Sequence, residues 1–374
     1  LFKNLSKLVV LLMAVSILMT GCWDATDVSD QNLCTLVILD RQGDELSFTV
    51  EIARITPSGE SGGGAGRGEK KAYVKGSGAN FADARDNLDM QMDKPIFLGT
   101  VRALIITERA AANDLAEYLF RLRENQSYRQ KVNITISGDD PKALTEFENE
   151  DDQPLGFVID DTIHTGQALG HTCAETTERY VNRILANRGF IVQHIGLQGK
   201  QIALDGYSVF RDAKLVGFIP MESSRGLSYV LSDQPVWVYR LPGDDGFVTA
   251  EVRLAHRDVK PSYQDGKVKF QVQIAFKAEI QYNSEPNPFP LNDQNIRKFS
   301  DDLNQVLASE VRTAVEQSQK LFQSDYLLFG EVFRLAYPDE FDAMDWPAEY
   351  LKAEIETSTS VDSSPSDKMD IQAS

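Results

Sequence analysis

The first residue able to do chemistry is a cysteine near the start of the chain. Leu18-Met19-Thr20-Gly21-Cys22 steps through small residues into a thiol directly after an apolar run. Lys3 and Lys7 give the segment a cationic beginning, Leu8 to Met19 is nearly all aliphatic, and cleavage before Cys22 would free that residue for diacylglycerol attachment. The apolar run spans only about twelve residues, whereas a bilayer-crossing helix needs roughly 20. Residues 1–21 therefore read as a lipoprotein signal peptide, with Cys22 as the lipidation site carrying palmitate-class chains. Met19 departs from the Leu, Ile or Val usual three positions before such a cysteine, and Leu1 reads as a non-AUG start. Two or three acyl chains, at about 0.8 kcal/mol per buried methylene, hold a protein stably on a membrane where one would not.

Other chemistry-bearing sets fall short. His164, His171 and Cys173 form the densest group of soft ligands, but tetrahedral zinc wants three or four ligands, usually in tighter pairs, so they read as polar residues around a chain turn. Gly63 and Gly68 have the spacing of a phosphate loop, yet Glu69 stands where the lysine belongs and no Ser or Thr follows Lys70. Gly76-Ser77-Gly78 lacks the third glycine of a dinucleotide fingerprint. No Gly-x-Ser-x-Gly elbow or His-Glu-x-x-His helix occurs. Asp151-Asp152 and Asp160-Asp161 are paired carboxylates, but in so acidic a chain they read as solvated faces. No catalytic, cofactor-binding or metal residues are assigned.

The 374 residues carry a net charge of −18, which loss of Lys3 and Lys7 with the signal takes to −20. Such a surface is repelled by phosphate backbones and anionic headgroups, so nucleic acid is not a partner and lipid must do the anchoring. With Cys22 acylated, Cys34 and Cys173 remain, either bridged or two separate core thiols.

Length implies two or three domains. A polar tether over 22–31 leads to a hairpin, in which Leu33 to Leu39 is a buried strand and Leu46, Phe48, Val50 and Ile52 alternate with polar residues. Residues 58–68 hold six glycines and read as a mobile loop. Asn80 caps a helix to Met92, ended by Pro95. Strands at Val101–Thr107 and Val132–Ser137 then alternate with helices at Arg109–Arg123 and Pro141–Glu148, an acidic stretch runs from Glu146 to Asp161, and a helix at Glu175–Ala186 turns Tyr180, Ile184 and Leu185 inward. These elements make an N-terminal α/β-type domain over 32–198.

A hairpin, Ile202–Phe210 and Leu215–Ile219, opens a middle β-rich domain assigned to 199–260. The third domain, 261–361, is dominated by Val268, Phe270, Val272, Ile274, Phe276, Ala278, Ile280 and Tyr282 at every second position, an antiparallel strand with one covered face. Its cover is an amphipathic helix over Ser300–Phe322, opened by Ser300 as N-cap, with Leu303, Leu307, Val311 and Leu321 on its stripe. A last strand near Tyr350–Thr359 joins the sheet, and 362–374 reads as a disordered tail. The fold class is α+β, multi-domain, with mixed or antiparallel sheets each covered by helices.

Several of these segments resemble one family. Gly21-Cys22-Trp23-Asp24, Pro95-Ile96-Phe97-Leu98-Gly99 followed by Val101 to Glu108, Arg121-Leu122-Arg123-Glu124, and above all the hairpin Leu204-Asp205-Gly206-Tyr207-Ser208-Val209-Phe210-Arg211-Asp212-Ala213-Lys214-Leu215-Val216-Gly217-Phe218 look like the Ger(x)C family. Phe329-Gly330-Glu331 and Trp346 extend the likeness toward the C-terminus. Thr100, where members often carry histidine, and the glycine-rich segment depart from it. The resemblance implies a lipoprotein C subunit of spore nutrient-germinant receptors, a three-domain α+β protein on the extracytoplasmic face of the spore inner membrane. It also implies partnership with two integral membrane germinant receptor subunits, one transporter-like, and transfers no functional residue except Cys22. A non-enzymatic receptor subunit is the leading expectation. A lipid-anchored solute-binding protein that captures a small nutrient directly is the alternative, and a cell-wall enzyme is a third possibility.

Overall fold

The computed structural model describes residues 30–54, 70–124, 131–243, 246–284 and 293–371. The signal peptide, Cys22, the tether up to residue 29 and the glycine-rich 58–68 lie outside them. The first sheet begins as a hairpin of β1 (Asn32–Gln42) and β2 (Glu45–Arg54), extended by an antiparallel β3 (Lys70–Gly78). The helix α1 (Phe81–Asp89) follows, and β4 (Ile96–Phe97) and β5 (Ala103–Thr107) run parallel along the other edge of β1. The chain continues through α2 (Glu108–Ala111), α3 (Ala116–Glu124), β6 (Asn133–Ser137), α4 (Pro141–Thr145), α5 (Leu155–Ala168), α6 (Thr177–Leu185), β7 (Phe190–Gln198), β8 (Gln201–Arg211) and β9 (Lys214–Pro220). Along the sheet the order is β3-β2-β1-β5-β6-β7-β8-β9, with parallel strands at the centre and antiparallel hairpins on both flanks.

Both faces of this sheet are covered, which is why β1 is buried without interruption from Cys34 to Asp40. Val37, Leu39, Phe48, Leu104 and Ile134 pack against α1, α3 and α6. Leu36, Ile38, Ala103 and Ile105 pack against Leu155, Ile159 and Ile163 of α5 on the opposite face. Asn80 caps α1 as expected, accepting from Ala82 N at 2.8 Å and Asp83 N at 3.0 Å. The glycine pair beside it has a packing reason, since a Cβ at Gly76 would lie 2.2 Å from the Ala84 carbonyl oxygen. The helix expected over Arg109–Arg123 is broken into α2 and α3, and Asp114 restarts it by accepting from Ala116 N at 2.8 Å.

Most of the second half forms a separate four-stranded sheet in the order β10-β11-β12-β13. Its elements are α7 (Arg225–Leu231), β10 (Val236–Pro242), β11 (Phe247–Gln264), β12 (Lys267–Asn283), α8 (Asp293–Glu316), a π turn at Gln317–Leu321, α9 (Phe329–Ala336), α10 (Pro338–Asp342), α11 (Trp346–Tyr350) and β13 (Glu354–Ile371). The period-two run on β12 is buried from Val268 to Ile280 as the alternation requires, and Leu303, Leu307 and Val311 of α8 share its core. Each such buried side chain contributes about 2 kcal/mol relative to exposure.

Several expectations are corrected. The division at 198/199 falls on the turn between β7 and β8, which pair from Phe190↔Phe210 to Gln198↔Gln201, so the first sheet runs past the expected end of the N-terminal domain. The β8–β9 hairpin hydrogen-bonds into that sheet while Tyr207, Val209 and Ile219 pack into the core of the second. A boundary at Lys260 would cut β11, which pairs with β12 on both sides of that residue. The tail is strand as far as Ile371, because parallel pairing with β12 supplies backbone partners that a Ser- and Asp-rich sequence does not advertise. The long helix starts at Asp293, so Ser300 is no cap; its hydroxyl donates to the Ile296 carbonyl at 2.9 Å inside the helix. Leu185 and Leu321 point outward, at 60% and 65% exposure. The acidic stretch from Glu146 to Asp161 runs into α5, whose first turn is fixed from a distance.

That fixing group is Glu51, fully buried on β2. Its carboxylate accepts from Thr35 Oγ1 and Tyr73 OH, both at 2.6 Å, and from the backbone N–H groups of Leu155 at 2.7 Å and Gly156 at 3.0 Å. The two amides belong to the first turn of α5, where unpaired N–H groups and the helix dipole favour a negative charge. Gly156 lets the helix approach, as a Cβ there would sit 2.2 Å from the Thr35 carbonyl oxygen. Glu51→Ala would strand four donors, three of them buried, and is expected to cost about 4 kcal/mol in chemical denaturation, with Glu51→Gln costing about half as much. Gly156→Ala is expected to lose about 2 kcal/mol by forcing α5 off the sheet.

Candidate functional site

The residues singled out from sequence are not brought together. His164 Nε2 lies 3.5 Å from Asp160 on α5, the His171 ring stacks on Trp237 with centroids 5.0 Å apart, and the Cys173 backbone N–H donates to Tyr207 OH at 3.1 Å. Among the described residues, no group of three His, Cys, Asp or Glu side chains is arranged to hold a metal ion. Asp151, Asp152 and Asp161 are exposed, as solvated carboxylates should be. Asp160 is not. It is buried, accepts from Asn133 Nδ2 at 2.6 Å and pairs with Arg102 at 3.5 Å, which ties α5 to the sheet.

Cys34 and Cys173 are free thiols that pack against different cores. Burial pushes Cys34 far above the ordinary thiol range, and burial pushes Cys173 up to about 11. Neither has the depressed pKa of a nucleophilic cysteine.

Two polar clusters at the ends of the central strands escaped sequence reasoning. Asp40 on β1 accepts from Thr107 Oγ1 at 2.6 Å and from Arg109 Nε and Nη2 at 3.1 and 2.8 Å, which clamps the end of β5 to β1. His194 on β7 is buried between carboxylates, with Nδ1 2.6 Å from Asp205 and Nε2 3.3 Å from Glu108 without hydrogen-bond alignment. Its ring also meets the edge of Phe218, so it cross-links β7, β8, β9 and α2.

A cleft that gathers charged side chains lies where the two halves meet. Arg179, Arg183 and Arg188, from α6 and the turn after it, face Leu328 and Glu331 across a cleft of about 350 Å³. Arg183 is 7% exposed; it donates from Nε and Nη2 to the two oxygens of Glu175, at 2.9 and 2.6 Å, and lies 3.4 Å from Glu331. Arg188 reaches the same Glu331 oxygen at 3.2 Å and lies over the Phe341 ring. Beside them, buried Asp325 accepts from Phe329 N at 3.0 Å, Gly330 N at 2.7 Å and Trp346 Nε1 at 2.8 Å, and burial raises its carboxyl above the usual range. The motif Phe329-Gly330-Glu331 thus places two amides on a buried acid and one carboxylate in the cleft. The helical periodicity of α6 marks only its apolar side. The recurrence of arginine at 179, 183 and 188 in an acidic chain was the available signal.

Comparison with known proteins accounts for nearly the whole described chain. The family model described as "Spore germination protein N-terminal domain" matches residues 24–197, and that described as "Spore germination B3/ GerAC like, C-terminal" matches residues 205–364. Spore germination protein B3 of Bacillus subtilis (strain 168) is 18% identical over 333 residues, covering 85% of this chain and 86% of its own. Putative spore germination protein YfkR of the same organism is 24% identical over 328 residues, covering 83% and 84%. The crystal structure of the GerBC protein matches with a TM-score of 0.58 at 13% identity, covering 87% of this chain and 96% of that one, and shares its multi-domain α+β fold. With both domains matched in order on either side of the β7–β8 turn, the chain belongs to the Ger(x)C, GerAC-like family of spore germination proteins.

Proposed function

We propose that this chain is a lipid-anchored, non-enzymatic subunit of a spore nutrient-germinant receptor, held at the extracytoplasmic face of the spore inner membrane through Cys22. It assembles there with integral membrane subunits, one of them transporter-like. The observation that carries this reading is the match of both spore germination domains over residues 24–197 and 205–364, directly behind a cysteine placed for acylation. Among the described residues, no helix is long and apolar enough to cross a membrane, so attachment in this reading falls to the lipid. Support for a non-enzymatic role is the use made of buried polar groups. Glu51, Asp40, Asp160, His194 and Asp325 are each engaged in holding one element to another.

Replacing Cys22 with alanine tests the reading in spores. The wild-type chain is expected in the membrane fraction, cross-linked to integral membrane polypeptides. Cys22→Ala is expected to leave that fraction and weaken the nutrient response, while its soluble body keeps the wild-type circular dichroism. Full membrane retention and cross-linking of Cys22→Ala would contradict the anchor.

A further inference from the structure

We infer that the cleft between α6 and α9 binds a small soluble molecule carrying a carboxylate or phosphate group, grasped by Arg179, Arg183 and Arg188. The charge distribution is the first reason. In a chain of net charge −18, three guanidinium groups from a ten-residue stretch converge on one cleft. Two carboxylates face them, and both are committed: Glu175 gives its two oxygens to Arg183, and Glu331 offers one oxygen to both Arg183 and Arg188. The third acid nearby, Asp325, has its oxygens taken by two backbone N–H groups and the Trp346 indole.

Donor capacity is left over on the arginine side of the cleft. Arg179 is 71% exposed, and its nearest carboxylate is the Glu175 oxygen at 3.8 Å that Arg183 already holds at 2.6 Å. Arg188 Nε is buried with no hydrogen-bond partner. A guanidinium presents a planar fork that matches a carboxylate or phosphate, and the exposed fork of Arg179 is open to one.

Shape agrees with charge. The volume of about 350 Å³ is within the range of small-ligand sites, and Arg179, Arg183 and Leu328 also line a second pocket of about 270 Å³ beside it. Leu328 gives the cleft an apolar wall and holds a left-handed backbone, φ +69°, a conformation that a leucine adopts only when its surroundings impose it. Because the arginines come from the first half and Glu331 from the second, an anion that competes with Glu331 for the arginines shifts how the two halves meet.

Titration of the full-length chain in detergent micelles tests the site. Sodium phosphate and sodium acetate are the probes, each compared with sodium chloride at equal ionic strength, with heat of binding and unfolding temperature as readouts. Saturable binding of at least one probe is expected, and the stronger arm identifies the preferred oxyanion. Arg179→Gln, on an exposed helix face, is expected to weaken binding tenfold or more without changing the unfolding temperature of the free protein. Glu331→Gln removes the competing carboxylate and is expected to tighten binding severalfold, whereas a purely structural ion network would only lose stability. Absence of saturable binding, or unchanged affinity in Arg179→Gln, would overturn the proposal.

Discussion

A buried carboxylate organises the first half of the molecule. Removing an acid from water is costly unless its lone pairs are met, and Glu51 meets that requirement with four donors on three segments. Thr35 lies on β1, Tyr73 on β3, and the amides of Leu155 and Gly156 open α5. The same hydrogen bonds that keep the charge tolerable therefore fix the register of three strands and seat the helix covering one face of the sheet. Once α5 is seated, Asp160 on its inner side can reach Asn133 and Arg102, and the central parallel strands are closed from above. A hydrophobic replacement would keep the volume and lose this positional information.

The two halves are joined by shared structure more than by a linker. Residues Gly206 to Gly217, the most distinctive stretch of the family resemblance, belong to the first sheet through hydrogen bonds and to the second core through Tyr207 and Val209. Ser324 on the far side donates to the Phe210 carbonyl at 2.7 Å, and Arg211 reaches Gln323 at 3.0 Å, so the hairpin is gripped from the C-terminal half as well. The arginine cleft sits beside this joint. An anion at the junction is one means of biasing how the two bodies meet.

What the sequence reveals follows from where the determinants lie. The β12 alternation and its helical cover were readable because each carries its own periodicity, as was the Asn80 cap, whose partners are two and three residues away. The helix α5 was not, because its start depends on a carboxylate 104 residues earlier in the chain. Nor was the length of β13, whose Ser, Thr and Asp residues form a strand only by pairing with β12. Asp160 looked like surface because burial of a charge is decided by neighbours absent from the local window. Of the candidate residues, Cys22 is singled out by its flanks alone, while the arginines come together with Glu331, about 150 residues later, only in the folded chain.

The proposed anchor, on which the proposed membrane role rests, can be examined directly by mass spectrometry of the N-terminal peptide of the chain isolated from spores. A peptide beginning at Cys22, increased in mass by a diacylglyceryl group and recovered from the inner-membrane fraction, is the expected result. An unmodified peptide running uncut through residues 18–26, recovered from the soluble fraction, would contradict it.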